Sequence, residues 1–156
     1  MKGNDDIIQV LNDVLCAELT AINQYVIHGR MCRNWHYDRL ADHINKESIG
    51  EMKHAQVLID RILYFDGAPN MQKYMKINVG PTVQEQFQFD LQLEYDAVKR
   101  LNEGIELCRA KGDNGTRALL EEILKSEEEH VDWLEAQRQQ IKDMGIENYL
   151  AQQIEE

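Results

Sequence analysis

The feature that most restricts this chain is a set of charges where oily residues belong. Four long segments keep a helical period of apolar residues, over about 5–34, 37–64, from Thr82 through a stripe that reaches Cys108, and 116–142. Their seams read Leu11, Leu15, Ile22 and Tyr25; then Leu40, Ile44, Ala55, Leu58 and Ile62; then Phe87, Leu91, Val98 and Leu101; then Leu120, Ile123, Val131 and Leu134. Glu18 interrupts the first seam, Glu51 and His54 the second, Glu94 the third, and Glu127 and His130 the fourth. Burying an unpaired carboxylate costs several kcal/mol. Interruptions in all four seams therefore need a common cause.

The spacing supplies it. Glu18 and Glu51 are 33 positions apart, as are Glu94 and Glu127, and each second glutamate is followed three residues later by a histidine. A shift of 76 positions carries 18, 51 and 54 onto 94, 127 and 130, so the chain holds two copies of one helical hairpin. The hairpin turns centre near Trp35 and Gly112. At about 1.5 Å of rise per residue, all six groups lie about 22–29 Å from the turn of their own hairpin. Residues three apart on a helix share a face. The pattern predicts one cluster, at one level, facing the axis of a bundle.

The connections fit such a bundle. Gly67 and Pro69 are expected to stop the second helix, with Gly67 as its left-handed residue. Asp66 to Pro81 then runs without strong period, long for a loop but suited to a crossover between parallel neighbours. Thr82-x-x-Glu85 is a capping box that starts the third helix. Gly112-Asp113-Asn114-Gly115 reads as a tight turn, with the fourth helix expected from about Thr116. Met144-Gly145 closes that helix, and Ile146 to Ile154 is expected to form a short fifth one. The fold class is all-α: a four-helix bundle with a long crossover between helices 2 and 3 and a short fifth helix. Residues 1–156 read as a single domain.

Charge narrows the partners. Acidic residues number 28 against 17 basic, a net charge of −11, which repels nucleic acid and anionic membranes and draws cations. No apolar run reaches a membrane-spanning length, and the first residues lack a signal-peptide hydrophobic stretch. Cys16, Cys32 and Cys108 form no C-x-x-C pair, which fits a reducing cytoplasm rather than a disulfide framework or a structural zinc site.

A lone Glu-x-x-His is commonplace, and a single core histidine is usually just hydrogen-bonded. Four carboxylates and two imidazoles with matched spacing are another matter. They carry a charge of −4, which two divalent cations would neutralise. The oxygen-rich, moderately hard set suits iron or manganese better than zinc. A pair of metals held by Glu from two helices and Glu-x-x-His from two others is a known construction in carboxylate-bridged bundles.

At these residues the sequence resembles bacterioferritin, the haem-containing branch of the ferritins. The likeness covers essentially the whole chain. It includes Met1-Lys2-Gly3, Glu18-Leu19-x-Ala21-Ile22-Asn23-Gln24-Tyr25 and Glu47-Ser48-Ile49-x-Glu51-Met52-Lys53-His54-Ala55. It continues through Glu127-Glu128-Glu129-His130-x-Asp132-Trp133-Leu134-Glu135 and Gly145-x-Glu147-Asn148-Tyr149-Leu150. The resemblance implies a ferritin-like subunit, two dozen of which close into a hollow cage built from two-fold dimers. It implies a ferroxidase that turns Fe2+ into Fe3+ with O2 or H2O2 and stores a ferric mineral. Glu18, Glu51, His54, Glu94, Glu127 and His130 match the family's di-iron ligands, with Glu51 and Glu127 bridging.

Met52 matches the family's axial ligand to haem b, shared between two subunits across a two-fold axis. Leu19, Ile22, Asn23, Val26 and Ile49 would neighbour that pocket. Tyr25 and Trp133 match aromatics proposed as electron donors in relatives, while Leu58 replaces a frequent Tyr. Asp66 and Asp132, near helix ends, match pore residues. The resemblance also implies a bacterioferritin-associated ferredoxin as partner for iron release. Lys46 and Gly50 depart from the His and Asp of many relatives and remove two side chains from the family's inner-surface iron site, though Glu47 survives. With those changes, a second reading is a haem-bearing storage subunit in a mixed, hetero-oligomeric cage. A peroxidase of the rubrerythrin type is disfavoured by the lack of C-x-x-C pairs. A mini-ferritin with metals between subunits is disfavoured because one chain supplies all six ligands.

Overall fold

The structure, a computed structural model, describes residues 1–155; Glu156 lies outside the described residues. Asn4 caps the first helix by accepting from the backbone N–H groups of Asp6 and Ile7. Asp5 and Asp6 add negative charge at its positive end. The elements are α1 (Asp5–Asn34), α2 (Asp38–Tyr64), α3 (Val83–Ala110), α4 (Asn114–Met144) and α5 (Ile146–Ala151). No strand occurs among the described residues.

Three helices end in the same way, with a left-handed residue just past the last turn: His36 (φ 65°), Asp66 (φ 57°) and Gly112 (φ 73°). At the end of α2 the expected left-handed residue was Gly67, one position too far. The Gly67 N–H bonds the Ile62 carbonyl at 2.9 Å, so the left-handed position falls on Asp66, a residue type that tolerates it. Gly67 is constrained by space instead, since a Cβ there would meet Ile62 and Ile8 at 3.0 and 3.1 Å. The expected start of α4 also moves. Asp113 accepts from the Thr116 N–H at 3.0 Å, so the helix already begins at Asn114. Gly115 therefore lies in the first turn, where a Cβ would stand 2.6 Å from the Arg61 guanidinium. The capping oxygen expected at Thr82 is present, bonded to Glu85 N–H at 3.2 Å. The fifth helix stops at Ala151, short of Ile154, because the chain turns and the Gln153 carbonyl accepts from Arg39 N–H at the start of α2.

Named contacts set the directions. Along α1 and α3, a Cβ on Gly104 would meet Val10, His28 meets Asp90 and Cys32 meets Gln86, so these helices are antiparallel. Along α2 and α4, Arg61 meets Thr116, His54 meets Glu127 and His43 meets Trp133, again antiparallel. With α1 and α2 joined as a hairpin, α2 and α3 run parallel, and residues between them must travel the length of the bundle.

That crossover has no regular secondary structure, so its backbone needs partners elsewhere. Side chains of α1 provide them. Asn12 accepts from Asn70 N–H (2.8 Å) and donates to Ala68 O (3.2 Å). Thr20 accepts from Met75 N–H (2.9 Å), Gln24 from Asn78 N–H (3.1 Å) and His28 Nε2 from Gly80 N–H (2.9 Å). The spacing of multiples of four puts these side chains in one row. His28 must keep Nε2 unprotonated to accept, so its Nδ1 donates to Asp90 (2.9 Å). Gln86 closes the far end by donating to Gly80 O at 3.1 Å.

A Cβ on Gly80 would lie 2.4 Å from the Gln86 backbone nitrogen. Gly80→Ala should therefore lower stability by about 1–3 kcal/mol in chemical denaturation. Gly50→Ala, whose added Cβ meets nothing within 4 Å, is the control and should not. An unchanged midpoint for Gly80→Ala would refute the tight seat of the crossover.

The buried apolar residues fall into two clusters. One holds Leu11, Leu15, Leu58, Ile62, Leu101 and Leu120; the other holds Tyr25, Leu40, Ile44, Phe87, Leu134 and Tyr149. Tyr149 anchors α5 in the second, edge-on to Phe87, with its hydroxyl bonded to Gln137 at 2.6 Å. The six interrupting residues lie between these two cores.

Candidate metal centre

Glu18 comes from α1, Glu51 and His54 from α2, Glu94 from α3, and Glu127 and His130 from α4. The structure brings all six together, as the spacing predicts. The four glutamates are 3%, 1%, 0% and 1% exposed in chain order, so water cannot offset their charge. Both histidines turn Nδ1 inward. His54 Nδ1 lies 3.1 Å from Glu127 and 3.6 Å from Glu18 and from Glu51. His130 Nδ1 lies 3.1 Å from Glu51, 3.3 Å from Glu127 and 3.7 Å from Glu94.

These approaches do not align as hydrogen bonds. Each of the six residues keeps one buried polar atom without a hydrogen-bond partner: Glu18 Oε2, Glu51 Oε1, His54 Nδ1, Glu94 Oε2, Glu127 Oε1 and His130 Nδ1. An orphaned buried atom costs about 1–3 kcal/mol. Six orphans facing one another fit a shared cation. Donor atoms of Glu18, Glu51, His54 and Glu127 lie within 4.8 Å of one another, as do those of Glu51, Glu94, Glu127 and His130. Glu51 and Glu127 belong to both groups, so cations held in the two groups would share these two carboxylates.

Titration follows the crowding. Burial opposes the charged form of His54, but Glu127 and Glu51 outweigh it and raise the imidazole to about 9. His130 is raised as well: burial acts against it and is overcome by Glu127, Glu47, Glu51 and Glu94. Burial, and then the charge of Glu127, push Glu94 well above the usual carboxylate range. A cation entering this cluster therefore displaces protons.

Around the cluster, Tyr25 donates its hydroxyl to Glu94, and burial together with that carboxylate raises its pKa. Trp133 does not reach the glutamates; its ring stacks on His43 at 3.7 Å and meets Phe87 edge-on. Glu47 contacts Nε2 of His130 and lies 2.8 Å from Nε2 of His43. Burial opposes its ionisation, yet His130 and His43 hold its carboxyl down to about 2. The pattern of seams passes over His43, although it sits four residues before Glu47 and Glu47 four before Glu51, on one helical face. Lys46 is exposed, and Gly50 has open space beside it. Met52 is 46% exposed, away from the cluster. Asp66 occupies the left-handed turn after α2 and pairs with the Met1 amine at 3.2 Å. Asp132 is exposed in the body of α4 rather than near a helix end.

A bundle of two antiparallel hairpins around buried carboxylates and imidazoles defines the class of ferritin-like proteins. The description "Ferritin-like domain" matches residues 8–144. Bacterioferritins of Mycobacterium bovis and Mycobacterium tuberculosis are each 47% identical over 152 residues, covering 97% of this chain and 96% of theirs. The bacterioferritin of Streptomyces coelicolor is 44% identical over 156 residues, covering 100% of this chain and 93% of its own. The chain belongs to the ferritin-like family and, within it, to the bacterioferritins.

Proposed function

We propose that this protein stores iron, oxidising Fe2+ as it enters at Glu18, Glu51, His54, Glu94, Glu127 and His130. The observation that carries this reading is the pair of overlapping donor groups sharing Glu51 and Glu127. Two Fe2+ ions held side by side each give one electron, so O2 or H2O2 takes two electrons in one encounter. The chain's own part is to bind both ions, to set their separation through the bridging glutamates and to exclude bulk water. The acidic surface, with its net charge of −11, raises the local concentration of Fe2+. Tyr25, hydrogen-bonded to Glu94, is the aromatic that would pass an electron to the pair; Trp133 is two residues further out, behind His43 and Glu47.

The subunit is one of a homo-oligomeric cage in the cytoplasm. Val26 and Ile27 of α1 and Ile49, Met52 and Val57 of α2 are exposed apolar residues, which supports a subunit interface on that face. Met52 sits among them with a free thioether, a ligand that suits haem iron. Two copies of Met52 across a two-fold axis would hold one haem b, whose chemistry is to carry electrons inward from a ferredoxin for iron release. No helix among the described residues is long and apolar enough to cross a membrane.

Anaerobic protein mixed with Fe2+ and O2 in stopped flow should give a fast phase whose amplitude saturates at two Fe2+ per chain. Proton uptake or release followed alongside should show that metal binding frees protons at pH 7, below the raised pKa of His54 of about 9. As pH falls further, binding must weaken. A fast phase without saturation, or binding independent of pH, would sink the reading.

A further inference from the structure

Between the first half of α2 and the end of α4 lies a groove of about 580 Å3, within the range of about 300–1,000 Å3 common for small-ligand sites. Arg39, His43 and Lys46 recur at helical spacing on its α2 wall, and Trp133 and Gln137 stand on its α4 wall. Asp42 is the one carboxylate among its lining residues, and Arg33 already pairs with it. Glu47, one turn beyond His43, directs its carboxylate at His43 and His130. Neither Arg39 nor Lys46 forms an ion pair with any described residue. Gln137 is the buried member of the lining, 9% exposed. Tyr149 donates to its Oε1 at 2.6 Å, so its Nε2 turns elsewhere, and that group donates to no described residue. A buried donor of this kind is costly unless something in the groove accepts from it.

We infer that this groove is a binding site for inorganic phosphate, held by Arg39, Lys46 and the amide of Gln137. Arg39 and Lys46 stand seven residues apart on α2, about 10.5 Å along its axis. Both are exposed and long, so they can close on one anion from either side of His43. Together they bring two positive charges, which match the hydrogen phosphate dianion. The planar guanidinium takes two phosphate oxygens at once, the ammonium acts as a point charge, and the Gln137 N–H adds a fixed neutral donor. The net charge of −11 repels anions at a distance, but at about 0.15 M salt charges more than about 8 Å away are largely screened. The local pair therefore decides what the groove holds. Trp133 already carries His43 on its face and Tyr149 is fully buried, so the walls favour a bare anion over one attached to a base that would stack. Iron stored as Fe3+ needs anions to balance its charge, and a phosphate held on the same subunit is one.

Calorimetric titration of the metal-free, full-length protein with sodium phosphate, near neutral pH in about 0.15 M NaCl, tests this. Binding should saturate at one phosphate per chain. Arg39→Gln and Lys46→Gln should each weaken it by at least about tenfold, and the double variant should show no saturable binding. Gln137→Glu, which keeps an oxygen for Tyr149 but replaces the donor with a charge, should weaken it as much. Lys46→Arg should retain it, and so should Lys142→Gln, which removes an exposed cation of α4 outside the groove. Circular dichroism confirms the fold of each variant. Adenosine monophosphate presents the same dianion on a base and should bind no more tightly than phosphate. Wild type without saturable binding, a double variant that still binds, or an equal loss in Lys142→Gln would overturn the site. Adenosine monophosphate binding tenfold more tightly than phosphate would overturn the assignment to the free anion. The titration needs no metal, so its failure leaves the iron-oxidation reading standing, and loss of the fast Fe2+ phase would leave the phosphate site standing.

Discussion

Glu127→Gln should abolish fast Fe2+ oxidation while raising the thermal stability of the metal-free protein. The two signs have one origin. Glu127 is 1% exposed and belongs to both donor groups, so its loss removes a ligand from each cation at once. Losing a residue that merely supports a ligand costs about 10–100-fold in affinity or activity, and a shared ligand should cost more. Stopped-flow absorbance at two Fe2+ per chain reads this directly. Stability moves the other way because, without a cation, four buried carboxylates face only two imidazoles. Glu94 is already pushed far up by burial and then by Glu127. An amide of the same shape removes one charge from that cluster without opening a cavity. Sites built for function commonly hold this kind of strain. Added Co2+ should then stabilise the wild type, by about 2.7 kcal/mol at a hundred times its Kd, and the variant by little. If the variant melts lower than the wild type in the metal-free state, the cluster is a structural salt-bridge network and the site assignment fails.

The parts of this molecule that were legible in advance share a property: they depend on helical phase. Glu18, Glu51, His54, Glu94, Glu127 and His130 stand out because each breaks an apolar seam, and the same count that finds the seam finds the breach. The turn chemistry was harder to read. Asp113, Asn114 and Gly115 suit a loop and a helix start equally well, since a side chain that caps a helix also closes a turn. Only the Thr116 N–H on Asp113 decides between them. Asp66 was hidden behind Gly67 because glycine is the commoner left-handed residue, while the register of the last turn chose its neighbour. The support for the crossover left a trace in Asn12, Thr20, Gln24 and His28, polar residues at multiples of four. That trace names a row on α1 without saying what lies on it. Glu47 and His43 share the face of Glu51, but their contact with α4 depends on how two helices pack, which no spacing within α2 encodes.

Met52→Leu should yield an assembled protein with no Soret band and an intact fast phase of Fe2+ oxidation. Met52 follows Glu51 directly, and one residue turns a helix by about 100°, so a glutamate aimed at the bundle axis places its neighbour outward. The side chain is 46% exposed, with Ile49 and Val26 also exposed nearby in sequence and hairpin register. Leucine has almost the same volume and apolarity, so the exposed face keeps its shape and the subunits still assemble. It has no atom that can bind iron. The loss of haem should therefore be complete, while Glu18, Glu51, His54, Glu94, Glu127 and His130 keep their places. Gel filtration, an absorption spectrum and the stopped-flow fast phase separate the three effects, and release of stored iron by a reduced ferredoxin should slow with the loss of the band. Met52→His gives the complementary case. It should keep haem but lower its reduction potential, because a thioether ligand raises the potential relative to imidazole. A normal Soret band in Met52→Leu would move the haem elsewhere on the subunit. Loss of the fast phase together with the band would mean that the outward face of α2 and the buried cluster are not independent, and the separation of storage from release drawn from their opposite orientations would have to be abandoned.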